Sequence, residues 1–90
     1  MHVVLIATDK PDALQVRLDN REAHLAYVAE TGVVELAGPF IDAEGRMTGS
    51  MILLDVPDMA AAQAWAADDP YARAGLFSEV TLRTWKKVIG

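Results

Sequence analysis

Ninety residues are expected to form one domain spanning 1–90, with no room for a second. The formal charge of −5, with no cluster of Lys or Arg, argues against a nucleic-acid partner, and no basic amphipathic stretch points to a membrane surface. The absence of cysteine excludes disulfides, thiolate catalysis and cysteine-ligated metal.

The chain enters directly on Met-His-Val-Val-Leu-Ile-Ala, without a basic leader or cleavage site, and this run is too short to cross a bilayer. A cytoplasmic location is the expectation. Apolar residues make up 52% of the chain. That is more than a core this small readily hides, so part of it is expected at a subunit interface.

His2 to Ala7 reads as a strand. Val4 and Ile6 lie on one face and Val3, Leu5 and Ala7 on the other, a pattern expected of a strand covered on both sides. Pro11 to Thr31 reads as a helix, with proline suited to its first turn and Gly32 to its left-handed end. Leu14, Leu18, Leu25 and Val28 recur at helical spacing and are expected to form the core stripe.

Val33 to Phe40 is the second expected strand, ended by Gly38-Pro39. The turn Asp42-Ala43-Glu44-Gly45 leads to the third, Ser50 to Val56. Asp58 is an expected N-cap for an alanine-rich helix that Pro70 ends. Tyr71 to Phe77 reads as a joint. Ser78 to Ile89 reads as the last strand, with Val80, Leu82 and Val88 on one face and Thr81, Arg83 and Trp85 on the other.

The order βαββαβ specifies an α+β, ferredoxin-like unit: a four-stranded antiparallel sheet with two helices on one face. Its other face is left open and apolar. A second copy is the economical cover, so a homodimer is expected.

Few residues suggest chemistry. There is no phosphate-binding glycine loop, no His-Glu-x-x-His and no Gly-x-Ser-x-Gly. His24 shares a helical face with Arg17, Arg21 and Val28, beside the leucine stripe, which places it at the core edge. Histidine both takes and gives protons near neutral pH. A half-exposed helical histidine also needs no role at all. Asp69, in Asp68-Asp69-Pro70-Tyr71, opposes the macrodipole at a helix C-terminus. It is there either to end the helix or to orient a histidine.

Arg21 is a candidate for holding an anion. Ser50 follows Gly49 with no base evident to activate it. His2 alone at a strand start is a poor metal site, and no metal is expected. Trp65, Phe77 and Trp85 read as core or interface.

Several fragments in this order and spacing resemble the YciI-like (YCII-related) family. They are Arg21-Glu22-Ala23-His24-Leu25, Gly38-Pro39, Gly49-Ser50, Trp65-Ala66-Ala67-Asp68-Asp69-Pro70-Tyr71, Ala74-Gly75-Leu76-Phe77 and Trp85. The resemblance implies a dimeric α+β barrel and a His–Asp dyad falling on His24 and Asp69. It also implies kinship with a dehydrochlorinase of chloroaromatic degradation.

The expected function is therefore proton transfer of lyase or isomerase type on a small, partly apolar molecule. His24 and Asp69 would be catalytic, Arg21, Ser50 and Tyr71 would bind substrate, and no cofactor is required. The alternative is a metabolite-binding or accessory module in which His24 and Asp69 only join two helices. Accessibility discriminates, since a catalytic His24 must face a cavity. A metal-dependent oxygenase of similar fold would need more histidines than His2 and His24.

Overall fold

The computed structural model describes residues 1–90. In chain order the elements are β1 (His2–Asp9), α1 (Leu14–Thr31), β2 (Val34–Ile41), β3 (Met47–Asp55), α2 (Met59–Asp68), α3 (Pro70–Arg73) and β4 (Phe77–Trp85). The strands form one antiparallel sheet in the order β2-β3-β1-β4. This is the ferredoxin-like α+β arrangement, with the helices on one face.

Local chemistry explains most of the boundaries. Asp12 adopts the left-handed region at φ 57°, which holds Pro11 and Asp12 in a turn and delays α1 to Leu14. Gly32 at φ 66° ends α1 as expected, its N–H returning to the Val28 carbonyl. Asp58 caps α2 by accepting from the Ala61 N–H at 2.8 Å, worth about 1 kcal/mol. Pro70 does more than end α2. Asp69 is both the last cap of α2 and the first of α3, and the expected joint contains this short helix.

Three strand limits differ from expectation. Gly38 and Pro39 lie inside β2, because an edge strand can leave one side of its backbone unbonded. β3 begins at Met47, so Ser50 sits within a central strand. Gly49 is required there, since a Cβ would collide with the Ala7 carbonyl of the neighbouring strand. β4 stops at Trp85, and Val88 is 82% exposed rather than facing the core.

Val3, Leu5 and Ala7 face the helices and form the core with Ile52, Leu54, Val56, Ala62 and Trp65. Each large side chain fully buried there contributes about 1.5–3 kcal/mol. The Val4 and Ile6 face of β1 is not covered by this chain, which is the open apolar face expected of this topology. It is continuous with Leu36, Phe40, Met51 and Trp85 around a shallow concavity of about 650 Å³.

The leucine stripe of α1 is not the core stripe. Leu14, Leu18 and Leu25 are 40, 47 and 48% exposed, whereas Arg17 and His24 are 3 and 7% exposed. The helix is rolled so that its polar face points inward, because partners for those polar groups wait beneath it.

Candidate functional site

Two buried networks meet under α1. In the first, the Arg17 guanidinium donates to Asp9 through Nε to Oδ2 and Nη2 to Oδ1, both at 2.8 Å. Nη2 also donates to Ser50 Oγ at 2.9 Å. Asp9 arrives at the end of β1 and Ser50 from the middle of β3. Burial pulls the guanidinium pKa down, but the hydrogen bond and charge of Asp9 more than offset this, so the net shift is upward. The cation is thus held without solvent.

The second network joins α1 to the α2–α3 junction. His24 Nδ1 lies 2.8 Å from Asp69 Oδ1, which also accepts the Tyr71 N–H at 3.0 Å. Asp69 is 1% exposed, and its second oxygen is buried without a hydrogen bond. The Tyr71 ring stacks on the His24 imidazole at 4.0 Å between centroids, 12° from parallel. The Arg17 guanidinium carbon sits 4.9 Å from the centroid of the same ring. Tyr71 therefore bridges the two networks.

Further along, Tyr27 Oη donates to the Trp65 carbonyl and Trp65 Nε1 to Thr31 Oγ1, locking α1 against α2. Phe77 packs edge-on against Tyr71, and Trp65 is buried in the core.

A cleft of about 200 Å³ opens between α1 and the β2–β3 pair. Arg17, Arg21 and His24 of α1 and Tyr71 of α3 line it, with Ala37, Gly38 and Pro39 of β2 and Ser50 and Ile52 of β3. With Nδ1 committed to Asp69, His24 Nε2 makes no protein hydrogen bond and is not sealed from solvent. It is the ring nitrogen left for the cleft that His24 lines.

The expected residues His24, Asp69, Arg21, Ser50 and Tyr71 are gathered at this one place, with Asp69 behind the histidine. Arg17 and Asp9 were not among the expected site residues. The available signal was a charged residue seven positions before His24 on the same helical face.

Burial pushes the Tyr71 phenol above the ordinary tyrosine value, against the opposing pull of Arg17 and Arg21. Burial raises Tyr27 as well, with Asp68 and Asp69 adding to it. At neutral pH Tyr71 is a hydrogen-bond donor and not a base. Because both phenols are raised on folding, their contribution to stability is complete below the usual value of about 10 and is lost as pH climbs past it. An alkaline titration should show tyrosinate absorbance delayed relative to the urea-unfolded chain, with stability falling above that pH. Coincident tyrosinate curves for folded and unfolded protein would contradict the burial argument.

The sequence pattern of the YCII-related domain matches residues 1–86. The chain belongs to the YCII-related family. It is 37% identical to Protein YciI of Escherichia coli O6:H1, over 98% of this chain and 99% of that one. An uncharacterised protein of Haemophilus influenzae matches at the same identity and coverage.

Among solved structures, this YCII-related chain is similar to 5-chloro-2-hydroxyhydroquinone dehydrochlorinase (TftG) of Burkholderia phenoliruptrix AC1100, in complex with 2,5-dihydroxybenzoquinone. The identity is 32% and the TM-score 0.88, over 96% of this chain and 94% of that one. An antibiotic biosynthesis monooxygenase at 16% identity and TM-score 0.61 shares the fold alone.

No helix is long and apolar enough to cross a membrane.

Proposed function

We propose that this protein is a small-molecule enzyme of lyase type that uses His24 as general base and acid and Asp69 to orient it. One observation carries the reading: His24 Nδ1 is bound to a buried carboxylate while Nε2 opens on the cleft. A pair serving only to join the helices would be sealed on both sides.

The cleft, at about 200 Å³, is below the roughly 300–1,000 Å³ of sites for drug-sized ligands, so the substrate is about one substituted ring. The similarity to a dehydrochlorinase points to a hydroxylated, halogenated ring. His24 Nε2 takes a proton from the ring system, chloride leaves with the bonding electron pair, and the net loss is HCl, without any oxidant. Arg17 and Arg21 favour the oxyanion that develops, and the Ser50 hydroxyl, which accepts from Arg17, is left to donate towards substrate. Asp69 stabilises the imidazolium, its unpartnered oxygen leaving negative charge undiluted beside the ring.

The test is release of chloride from 5-chloro-2-hydroxyhydroquinone and related chlorinated hydroquinones. Enzyme-dependent release above the spontaneous rate is expected. Saturable binding with no release from any of them would favour the metabolite-binding module.

We also propose that a second copy covers the open sheet face. Val4, Ile6, Leu36, Phe40, Met51 and Trp85 present apolar surface there, and Val88 and Ile89 project beyond β4 with little cover from their own chain. The expected solution mass is twice 9.8 kDa, falling to one copy in Phe40→Glu. A native mass of one copy would overturn this.

A further inference from the structure

His2 begins β1, on the sheet face turned away from the helices and at the opposite end of the strand from Asp9. Its cross-strand neighbours are Asp55 on β3 and Trp85 on β4. Glu35 comes from β2, at the register shift between Val34 and Leu36 that turns its side chain towards this end. One ligand atom each from His2, Glu35 and Asp55 falls within 4.8 Å of the other two. Three strands of one hydrogen-bonded sheet therefore converge an imidazole and two carboxylates on a common point.

The contacts among them leave the His2 Nε2 nitrogen without a hydrogen bond. His2 Nε2 is sealed from solvent and lies 2.9 Å from Glu35 Oε1, yet the approach is outside hydrogen-bond geometry. The Trp85 edge closes one side of the imidazole, with ring centroids 5.9 Å apart. No Lys or Arg pairs with either carboxylate, and the cation touching the group is the Met1 α-ammonium, 3.2 Å from Asp55 Oδ1. Two carboxylates at this range repel each other unless positive charge lies between them.

We propose that His2, Glu35 and Asp55 form a binding site for a divalent transition-metal cation, typified by Zn²⁺. An imidazole nitrogen with two carboxylate oxygens suits zinc and its neighbours. The nitrogen disfavours Ca²⁺ and Mg²⁺, which select all-oxygen sets. Three protein ligands leave at least one coordination position for water or a further donor. The sequence shows His2 without companions. The fold supplies them from positions 33 and 53 residues further along the chain. The site lies on the opposite sheet face from the cleft and stands independently of the reading of His24.

The experiment is calorimetric titration of the full chain with zinc chloride, paired with NMR of the two histidine rings. One Zn²⁺ per chain is expected, moving the His2 ring signals and leaving those of His24 in place. His2→Asn and Glu35→Gln, both outside the hydrophobic core, should each weaken binding by more than about tenfold, since even an outer-shell partner is worth on the order of 10–100-fold. His24→Asn should bind as the native chain does. Circular dichroism checks that each variant is folded. Absence of saturable binding, His2 signals unmoved at saturating zinc, or undiminished affinity in His2→Asn would each overturn the site.

Discussion

His24→Gln is expected to lower turnover of a chlorinated hydroquinone by about 10²–10⁴-fold, the range supplied by a positioned general base. Glutamine keeps a polar side chain at the cleft but cannot take up and return a proton near neutral pH. The loss should fall on kcat with KM little changed, because the cationic and hydroxyl groups that hold the substrate remain. Asp69→Asn should be comparably severe. Its amide can donate to Nδ1, which moves the ring proton to Nε2 and removes the lone pair from the cleft. Asparagine can still accept the Tyr71 N–H that Asp69 accepts at 3.0 Å, so folding should survive. The measurement is steady-state chloride release with circular dichroism of each variant. Folded variants with native kcat would remove His24 from the chemistry.

Arg17→Met is expected to destabilise the fold by about 3–5 kcal/mol, since it strands the Asp9 carboxylate, 6% exposed as a side chain, without its cation. For a chain of 90 residues that corresponds to a fall in Tm on the order of 20 °C. Asp9→Leu should cost a similar amount by stranding the guanidinium. The double variant should be more stable than the two single losses summed, because replacing a buried ion pair by apolar groups removes both desolvation costs together. Urea unfolding of the four proteins gives the coupling directly. Additive losses would show that the two side chains do not depend on each other. The double variant should bind oxyanionic substrates poorly whatever its stability, because Arg17 also lines the cleft.

The buried ion pair and the His24–Asp69 contact share a feature that explains where sequence reading worked. Gly32, Asp58 and the Asp42–Gly45 turn act over a few residues. Gly32 reaches φ 66°, Asp58 caps a helix three residues on, and Asp42 accepts the backbone N–H groups of Glu44 and Arg46. Those N–H groups, Arg46 first, also hold the Asp42 carboxyl below its usual pKa. Such features are written in the local sequence. The two-face pattern of β1 was legible for the same reason.

The roll of α1 was not. Leu14, Leu18 and Leu25 spell a core stripe by hydrophobic spacing, yet Arg17 and His24 are the residues buried. Hydrophobic periodicity assumes that charge belongs in water. It fails where a charge meets a partner, and the partners lie 8, 33 and 45 positions away in Asp9, Ser50 and Asp69. The extent of β2 was obscured in a similar way. Gly38-Pro39 reads as a stop, and only an edge position makes proline harmless.

By itself the sequence determined the order of the four strands and two long helices, the Gly32 and Asp58 caps, the Asp42–Gly45 turn, the ferredoxin-like topology and, through its motifs, the family. These follow from backbone propensity and from periodicity within a single element. The tertiary structure decided which face of α1 turns inward and that His24 Nδ1 meets Asp69. It also decided that Arg17 is neutralised beneath the helix and that His2 has two carboxylates beside it. Each of these depends on a partner in another element. A polar group is buried or left free according to what the fold brings within hydrogen-bonding distance, and no local pattern carries that information.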